Sequence, residues 1–506
     1  MRRIPRLPHV TSHDPAVPAP ASSALPDLSG LIKAYDVRGV VPEPFSPAVA
    51  TAIGAAFAEV VVTGGQRSVV VGQDMRPSGD ELVEAFAAGL TARGVDVVRI
   101  GLCSTDGLYH ASGVLDLPGA MFTASHNPAE YNGIKMCHAG ARPVGEGAGL
   151  GEVRDLAARY LGEGLPEPVE APGTVTRREM LPEYAAFLRG LVDLSGIRPL
   201  KVVVDAGNGM AGLTVPAVLG TAAGLPALPL EVVPLYFELD GTFPNHEANP
   251  LEPENLRDLQ AAVLEHQADL GLAFDGDADR CFVVDERGEP VSPSAVTALV
   301  GLREVSRELA AGRTPTVIHN LITSAVVPDL LRSAGARTVR TRVGHSFIKA
   351  EMAQHDAVFG GEHSAHYYFR DFFFADTGML AAMHVLAALG ERRDGVAAAT
   401  MSGLAEAYQP YVASGEVNSR VADVAAARAR VVEAYVTQQG AGRVDVDELD
   451  GLTISHWDSH PRWWFNLRAS NTEPLLRLNV EAADEDVMVK VRDDVLGLVR
   501  ADGGRG

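Results

Sequence analysis

A hydroxyl able to carry a covalent group stands in Thr123-Ala124-Ser125-His126-Asn127-Pro128, between the apolar Ala120-Met121-Phe122 and the turn-prone Tyr131-Asn132-Gly133. A small side chain in a polar loop at a strand end is exposed enough to act as a nucleophile or phosphate carrier, and Ser125 is the candidate. The same residues also suit a capped turn ended by Pro128. No G-x-S-x-G elbow surrounds Ser125, which weighs against a hydrolase. A second segment, Asp275-Gly276-Asp277-Ala278-Asp279-Arg280, separates the apolar runs 270–274 and 281–284. Three carboxylates at alternate positions of a strand-loop-strand can converge on one hard cation, and oxygen ligands favour Mg²⁺, Mn²⁺ or Ca²⁺. An EF-hand is the first comparison, since Glu286 falls at the twelfth loop position, but Arg280 stands where that loop needs glycine and the residues after it are β-like. Mg²⁺ completed by a phosphate oxygen fits better, with a solvated acidic turn as the plain alternative.

Two further loops carry recognition chemistry. In Gly360-Gly361-Glu362-His363-Ser364-Ala365-His366, Glu362 and Ser364 can hydrogen-bond adjacent hydroxyls of a polyol. The two histidines would need a third ligand to hold a metal, and a structural turn also fits. Arg468-Ala469-Ser470-Asn471-Thr472-Glu473-Pro474 puts a guanidinium, two hydroxyls and successive backbone N–H groups in one loop. That set suits a phosphate dianion, or more simply a helix cap.

One signal competes. Gly207-Asn208-Gly209-Met210-Ala211-Gly212 follows an apolar strand and matches G-x-G-x-x-G, with Glu231 at a tolerable distance for a ribose contact, so an NAD-binding oxidoreductase is a rival reading. Such an enzyme gives no reason for the triple-Asp loop or the Arg-Ser-Asn-Thr loop.

The net charge of −22 would repel nucleic acid and an anionic membrane surface, and a phosphorylated substrate as well. A site for an anion must therefore gather positive charge locally, and Arg38, Lys135, Arg280, Arg342 and Lys349 lie in or beside Gly-containing motif segments. Three cysteines without a CxxC pair argue against a disulfide framework or a structural zinc site and for a reducing cytoplasm. Met1-Arg2-Arg3 is followed by Pro5, Arg6, Pro8 and His9 rather than an apolar export segment. The uncharged stretch 210–230 contains Pro216, Pro226 and Pro229, so it reads as a buried helix and a strand rather than a membrane span.

The elements that must position these loops follow from periodicity. At 506 residues the chain exceeds a single core, and short β-rich runs alternate with Ala/Leu-rich helical segments. The expected fold is α/β, with three similar mixed α/β domains in series and a smaller C-terminal α+β domain. We place an N-terminal arm at 1–27 and domains at 28–180, 181–290, 291–407 and 408–506, the last ending in strands and an amphipathic helix from about 484 to 499.

Taken together, these segments resemble the α-D-phosphohexomutase superfamily over residues 32–499, in the order Lys33-Ala34-Tyr35-Asp36-Val37-Arg38-Gly39, then 123–128, 275–280, 361–364 and 468–474. The glycine turn 205–212 also looks like the family's second-domain turn, against the NAD reading. The resemblance implies four domains around one central cleft, each giving one loop. Phosphorylated Ser125 would donate its phosphoryl group, and Mg²⁺ held by Asp275, Asp277 and Asp279 would also contact a phosphoserine oxygen. A hexose 1,6-bisphosphate would form, turn over, and return its other phosphate; the same compound would serve as activator. Arg38, Lys135 and Arg280 would stabilise the moving charge. Glu362, His363 and Ser364 would face the sugar, and Arg468, Ser470, Asn471 and Thr472 the phosphate that is not reacting. His126 and His345 match positions lining the cleft.

The implied substrate is a hexose phosphate, with phosphomannomutase activity first and phosphoglucomutase activity beside it or ahead of it. Relatives acting on glucosamine phosphate usually carry glutamine at the position of His363, where a protonated imidazole would oppose a substrate ammonium, so the amino sugar is expected to be poor. A binding-only relative would more plausibly lack Ser125 or an aspartate. The chain departs from the family pattern at Ala365, usually glycine, at Asp106, usually proline, and in lacking a lysine within 320–323.

Overall fold

The computed structural model describes residues 25–33, 35–392, 398–437, 444–469 and 475–501. Four sheets follow one another along the chain. In the first, Ser68–Gln73 lies parallel to Asp96–Leu102 and to Gly119–Phe122, and Tyr131–His138 then pairs antiparallel with Gly119–Phe122 and with Val37–Val40. Period-2 alternation buries both faces: Val69, Val71 and Phe122 join the core under the helices Pro47–Val60 and Gly79–Ala92, whereas Val70 and Met121 meet Leu108 and Ala111 of the helix Thr105–Leu115 on the other side.

The second sheet repeats the plan. Leu200–Asp205 is parallel to Leu230–Leu235 and Leu270–Phe274, and Cys281–Asp285 returns antiparallel to Leu270–Phe274. In the third, Thr316–Asn320 is parallel to Arg337–Thr341 and Phe359–Gly361, and Tyr367–Phe369 returns antiparallel. Each α/β domain thus ends its parallel strands with one antiparallel hairpin. Those hairpin loops are 123–130, 275–280 and 362–366, the three candidate loops of the sequence. The fourth sheet is antiparallel throughout, covered by the helices Val424–Val432 and Glu485–Val499, and its hairpin Trp463–Ala469/Leu475–Ala482 flanks the fourth candidate loop.

The uncharged stretch resolves into the helix Ala211–Val218 and a strand beginning at Leu230. Among the described residues no helix is long and apolar enough to cross a membrane. The second and third domains share a hydrophobic core that reaches Tyr109 and Ala141 of the first, and the C-terminal domain keeps its own.

Candidate active site

Ser125 follows the strand Gly119–Phe122 and takes a left-handed backbone, φ 49°, unusual for a residue with a Cβ. Several contacts hold it there. The Ser125 N–H donates to Thr123 Oγ1 at 2.9 Å, and the buried Arg76 guanidinium donates to the carbonyl oxygens of Ser125, Asn127, Pro128 and Tyr131 at 2.6–3.0 Å. Arg76 is in turn held by Asp74 at 3.3 Å. From the facing hairpin, Gly276 packs so closely that a Cβ there would lie 2.5 Å from the Ser125 carbonyl oxygen.

That hairpin brings the carboxylates to the serine. Ser125 Oγ donates to Asp275 Oδ2 at 2.7 Å, and Arg280 donates to the same carboxylate from Nε at 2.9 Å and from its backbone N–H at 3.1 Å. Lys135, on the strand Tyr131–His138, bridges Asp277 Oδ2 at 2.6 Å and Asp279 Oδ2 at 2.5 Å. Arg38 reaches over the serine loop to Asn127 Oδ1 at 2.7 Å and pairs with Asp36 at 2.6 Å. Each of these cations is already paired with a carboxylate, so the cluster gains an excess of positive charge for an anion only with a bound cation.

Electrostatics in this cluster divide by partner. Burial raises the Asp275 carboxyl against the opposing Arg280, and the neighbouring Asp279 and Asp277 add to the rise. Burial works on Asp277 too, but Lys135 and the Thr105 hydroxyl outweigh it and hold that carboxyl well below the usual range. Burial, with Arg280 and Arg38 nearby, pushes the His126 imidazole well below its ordinary pKa; its Nδ1 lies 3.2 Å from Ser125 Oγ.

The donor set fits a hard cation. One carboxylate oxygen from each of Asp275, Asp277 and Asp279 can be chosen so that all lie within 4.8 Å of one another. Asp277 Oδ1 and Asp279 Oδ1 are buried with no hydrogen-bond partner among the described residues, so two acceptors remain for an ion to satisfy.

Around the serine lies a cavity of about 430 Å³ to which the first three domains contribute: Arg38, Lys135 and His126 from the first, Asp279 and Arg280 from the second, and His345, His366 and Asp376 from the third. His345 begins the helix His345–His355 and meets the Tyr35 ring edge-on at 5.5 Å; burial and Lys349 push its pKa down to about 3. His366 Nδ1 is 3.0 Å from Ser364 Oγ and its Nε2 is 3.8 Å from Asp279 Oδ1, linking the third-domain loop to the aspartate loop.

Glu362 and His363 are placed differently. Glu362 is buried, accepting from Tyr368 at 2.5 Å and from Asn320 at 2.9 Å. His363 turns its Nδ1 to Ser294 Oγ at 3.1 Å, facing a separate cavity of about 230 Å³ between the third and fourth domains, and burial pushes its pKa down. His363 thus lines a different cavity from the one around Ser125. Arg468 sits 3.6 Å from Asp450, which also accepts the Val343 N–H of the third domain at 3.2 Å. Ser470, Asn471 and Thr472 lie outside the described residues.

Several site residues escape sequence reading. Arg76 looks like a turn charge in Asp74-Met75-Arg76-Pro77. Thr105 binds Asp277 through its N–H at 3.0 Å and its hydroxyl at 2.5 Å. Lys349, singled out only as a basic residue, forms a buried pair with Asp376 at 2.6 Å beneath the Tyr109 ring. No local pattern announces these contacts, because their partners are distant in sequence.

The glycine motif is also accounted for. A Cβ at Gly209 would lie 2.7 Å from the Gly276 carbonyl oxygen, which accepts the Met210 N–H at 2.9 Å. The aspartate loop thus occupies the place where a dinucleotide pyrophosphate would need to approach this turn.

Comparison with known proteins agrees with this organisation. Models of the phosphoglucomutase/phosphomannomutase alpha/beta/alpha domains I, II and III match residues 30–149, 182–288 and 293–411, and the model of the C-terminal domain matches 416–498. The chain is 39% identical to a phosphomannomutase of Salmonella typhimurium over 465 residues, 92% of this chain and 97% of that one. It is 37% identical to a phosphomannomutase of Escherichia coli K12 over 473 residues, 92% of this chain and 97% of that one. A crystal structure of a phosphoglucomutase/phosphomannomutase family protein from Burkholderia thailandensis superposes with a TM-score of 0.80 at 31% identity, covering 94% of this chain and 98% of that chain. Four domain models in register and relatives matched over nearly their whole length show that the chain belongs to the phosphoglucomutase/phosphomannomutase family of phosphohexomutases, isomerases that act as intramolecular phosphotransferases.

Proposed function

We propose that the chain is a phosphomannomutase, interconverting mannose 6-phosphate and mannose 1-phosphate, with phosphoglucomutase activity as a strong second reaction. The observation that carries this reading is the 2.7 Å contact of Ser125 Oγ with Asp275, in a cavity shared by Arg38, Lys135 and Arg280. Relatives 37–39% identical and named phosphomannomutase support the sugar.

In this reading Ser125 carries a phosphoryl group. The P–Oγ bond breaks as a sugar hydroxyl forms a new P–O bond, and the hydroxyl proton leaves to a base of the cleft, whose imidazoles are His126, His345 and His366. The resulting hexose 1,6-bisphosphate turns over in the cleft, and its other phosphoryl group returns to Ser125. Free bisphosphate charges the serine by the same step, which makes it an activator. Arg38, Lys135 and Arg280 position the donor and offset charge on the moving group, the main demand of phosphoryl transfer. Mg²⁺ bound by Asp275, Asp277, Asp279 and a phosphoserine oxygen would supply further charge neutralisation. Ser364 addresses a sugar hydroxyl, Glu362 would do the same only by exchanging its bond to Tyr368 or Asn320, and Arg468 with the 470–472 loop takes the second phosphate.

Mannose and glucose differ only at the C2 hydroxyl, and the bisphosphate must bind in two orientations, so strict reading of C2 is hard to build. The test is a set of kcat/KM values for mannose 1-phosphate, glucose 1-phosphate and glucosamine 1-phosphate under one condition with Mg²⁺ and bisphosphate. Mannose 1-phosphate is expected first, with glucose 1-phosphate within about tenfold. A preference for the amino sugar would overturn the sugar assignment and leave the phosphoserine chemistry standing.

A further inference from the structure

Hydroxyls from three domains converge on one carboxylate away from the reacting atoms. Asp106, fully buried, is the second residue of the helix Thr105–Leu115. Its Oδ2 accepts the Tyr184 hydroxyl at 2.7 Å from the second domain and the Thr377 hydroxyl at 2.6 Å from the third, and its Oδ1 accepts the Ser104 hydroxyl. Ser104 and Thr377 are themselves helix N-caps, accepting the Gly107 N–H at 3.2 Å and the Leu380 N–H at 3.1 Å. Two helix N-termini, with their positive ends, therefore meet at a single negative charge.

The same helix docks on both neighbours further along. Lys349 Nζ of the third domain stands 4.0 Å from the Tyr109 ring centroid. At Gly113 a Cβ would come within 2.5 Å of the Phe373 ring, which stacks on Phe187 of the second domain at 5.8 Å. Phe373 adopts φ 57°, a left-handed backbone that its surroundings must enforce.

At the helix start, the residue before Asp106 holds the aspartate loop. Thr105 donates its N–H to the Asp277 carbonyl oxygen at 3.0 Å and its hydroxyl to Asp277 Oδ2 at 2.5 Å. With Oδ2 occupied by Thr105 and Lys135, Asp277 Oδ1 is the oxygen left for a cation.

We infer that Asp106 is a positioning residue for the metal loop: by tying three domains to the first turn of its helix it fixes Thr105, and Thr105 fixes which oxygen Asp277 presents. This rests on the metal role proposed above for Asp277. A carboxylate that merely glues an interface would change stability and leave metal affinity alone; a positioning residue changes metal affinity in protein that is still folded.

The experiment is direct Mn²⁺ binding, read by the loss of the free-ion electron paramagnetic resonance signal, on wild type, Asp106→Leu, Asp106→Asn and Thr377→Val. Melting temperature, kcat and KM are measured beside it. Asp106→Leu is expected to raise the Mn²⁺ Kd by about tenfold or more and to lower kcat, with KM for the hexose phosphate little changed. Asp106→Asn keeps an acceptor oxygen for Tyr184 and Thr377 and should recover most of the affinity. Should Asp106→Leu not fold, Thr377→Val removes one donor and should raise Kd by about threefold. A Kd within about twofold of wild type in the folded variants, whatever their melting temperature, overturns the role of Asp106. Failure of wild type to bind Mn²⁺ would instead overturn the metal reading on which it rests.

Discussion

Ser125 Oγ and Asp275 Oδ2, 150 residues apart in sequence, meet at 2.7 Å because two hairpin loops interlock. The interlock depends on Gly276, where a Cβ would lie 2.5 Å from the Ser125 carbonyl oxygen. Gly276→Ala should therefore push the loops apart rather than only crowd them. We expect kcat to fall by about a hundredfold with KM little changed, and a stability loss of about 1–3 kcal/mol. Steady-state kinetics and denaturant unfolding read the two effects. A kcat within about threefold of wild type would show that the spacing of these loops does not govern the chemistry.

Removal of divalent metal should abolish turnover, and Mg²⁺ should restore it. Three buried carboxylates and a phosphoserine repel one another unless a cation stands among them, and Lys135 and Arg280 already serve Asp277, Asp279 and Asp275. Asp277→Asn should weaken the response to Mg²⁺ by about tenfold or more. Turnover at the normal rate after treatment with EDTA would remove Asp275, Asp277 and Asp279 from the reaction.

Buried histidines away from the site set a pH dependence of stability. Burial lowers the pKa of His319 from 6.5 to about 4, so the folded chain keeps it neutral while the unfolded chain protonates it. The stability it allows is present above the unfolded value and is lost as pH falls from about 6.5 toward 4, amounting to about 2 kcal/mol at pH 5. His319→Gln should therefore lose less stability than wild type between about pH 7.5 and pH 5, whatever its absolute stability. Parallel losses in the two proteins, followed by denaturant unfolding, would contradict the neutral His319.

Much of the fold is legible in local pattern. The apolar runs on either side of 275–280 are the hairpin strands Leu270–Phe274 and Cys281–Asp285, and the polar loop between them is its turn. The chemistry of the loops is legible for the same reason, since each motif is continuous in sequence. What the sequence does not reveal is how the domains interlock. Thr105 meets Asp277 across 172 residues and Thr377 meets Asp106 across 271, and no periodicity encodes such contacts. The glycines at 207, 209 and 212 read two ways, because spacing alone does not tell whether a pyrophosphate or a neighbouring backbone fills the space; here the backbone of Gly276 fills it at Gly209 and that of Phe237 at Gly212. His363 misleads in another manner, since its place in the loop suggests a sugar-facing side chain while its Nδ1 turns to Ser294 beside a separate cavity.

The central claim is that Ser125 carries the transferred phosphoryl group, and intact-protein mass spectrometry after incubation with hexose 1,6-bisphosphate tests it most directly. Wild type should gain one phosphate that mapping assigns to Ser125, and addition of mannose 6-phosphate should discharge it. Ser125→Ala should gain none, remain folded, and lose turnover by about a thousandfold or more. A Ser125→Ala protein that still takes up the phosphate, or that turns over at the wild-type rate, would contradict the account.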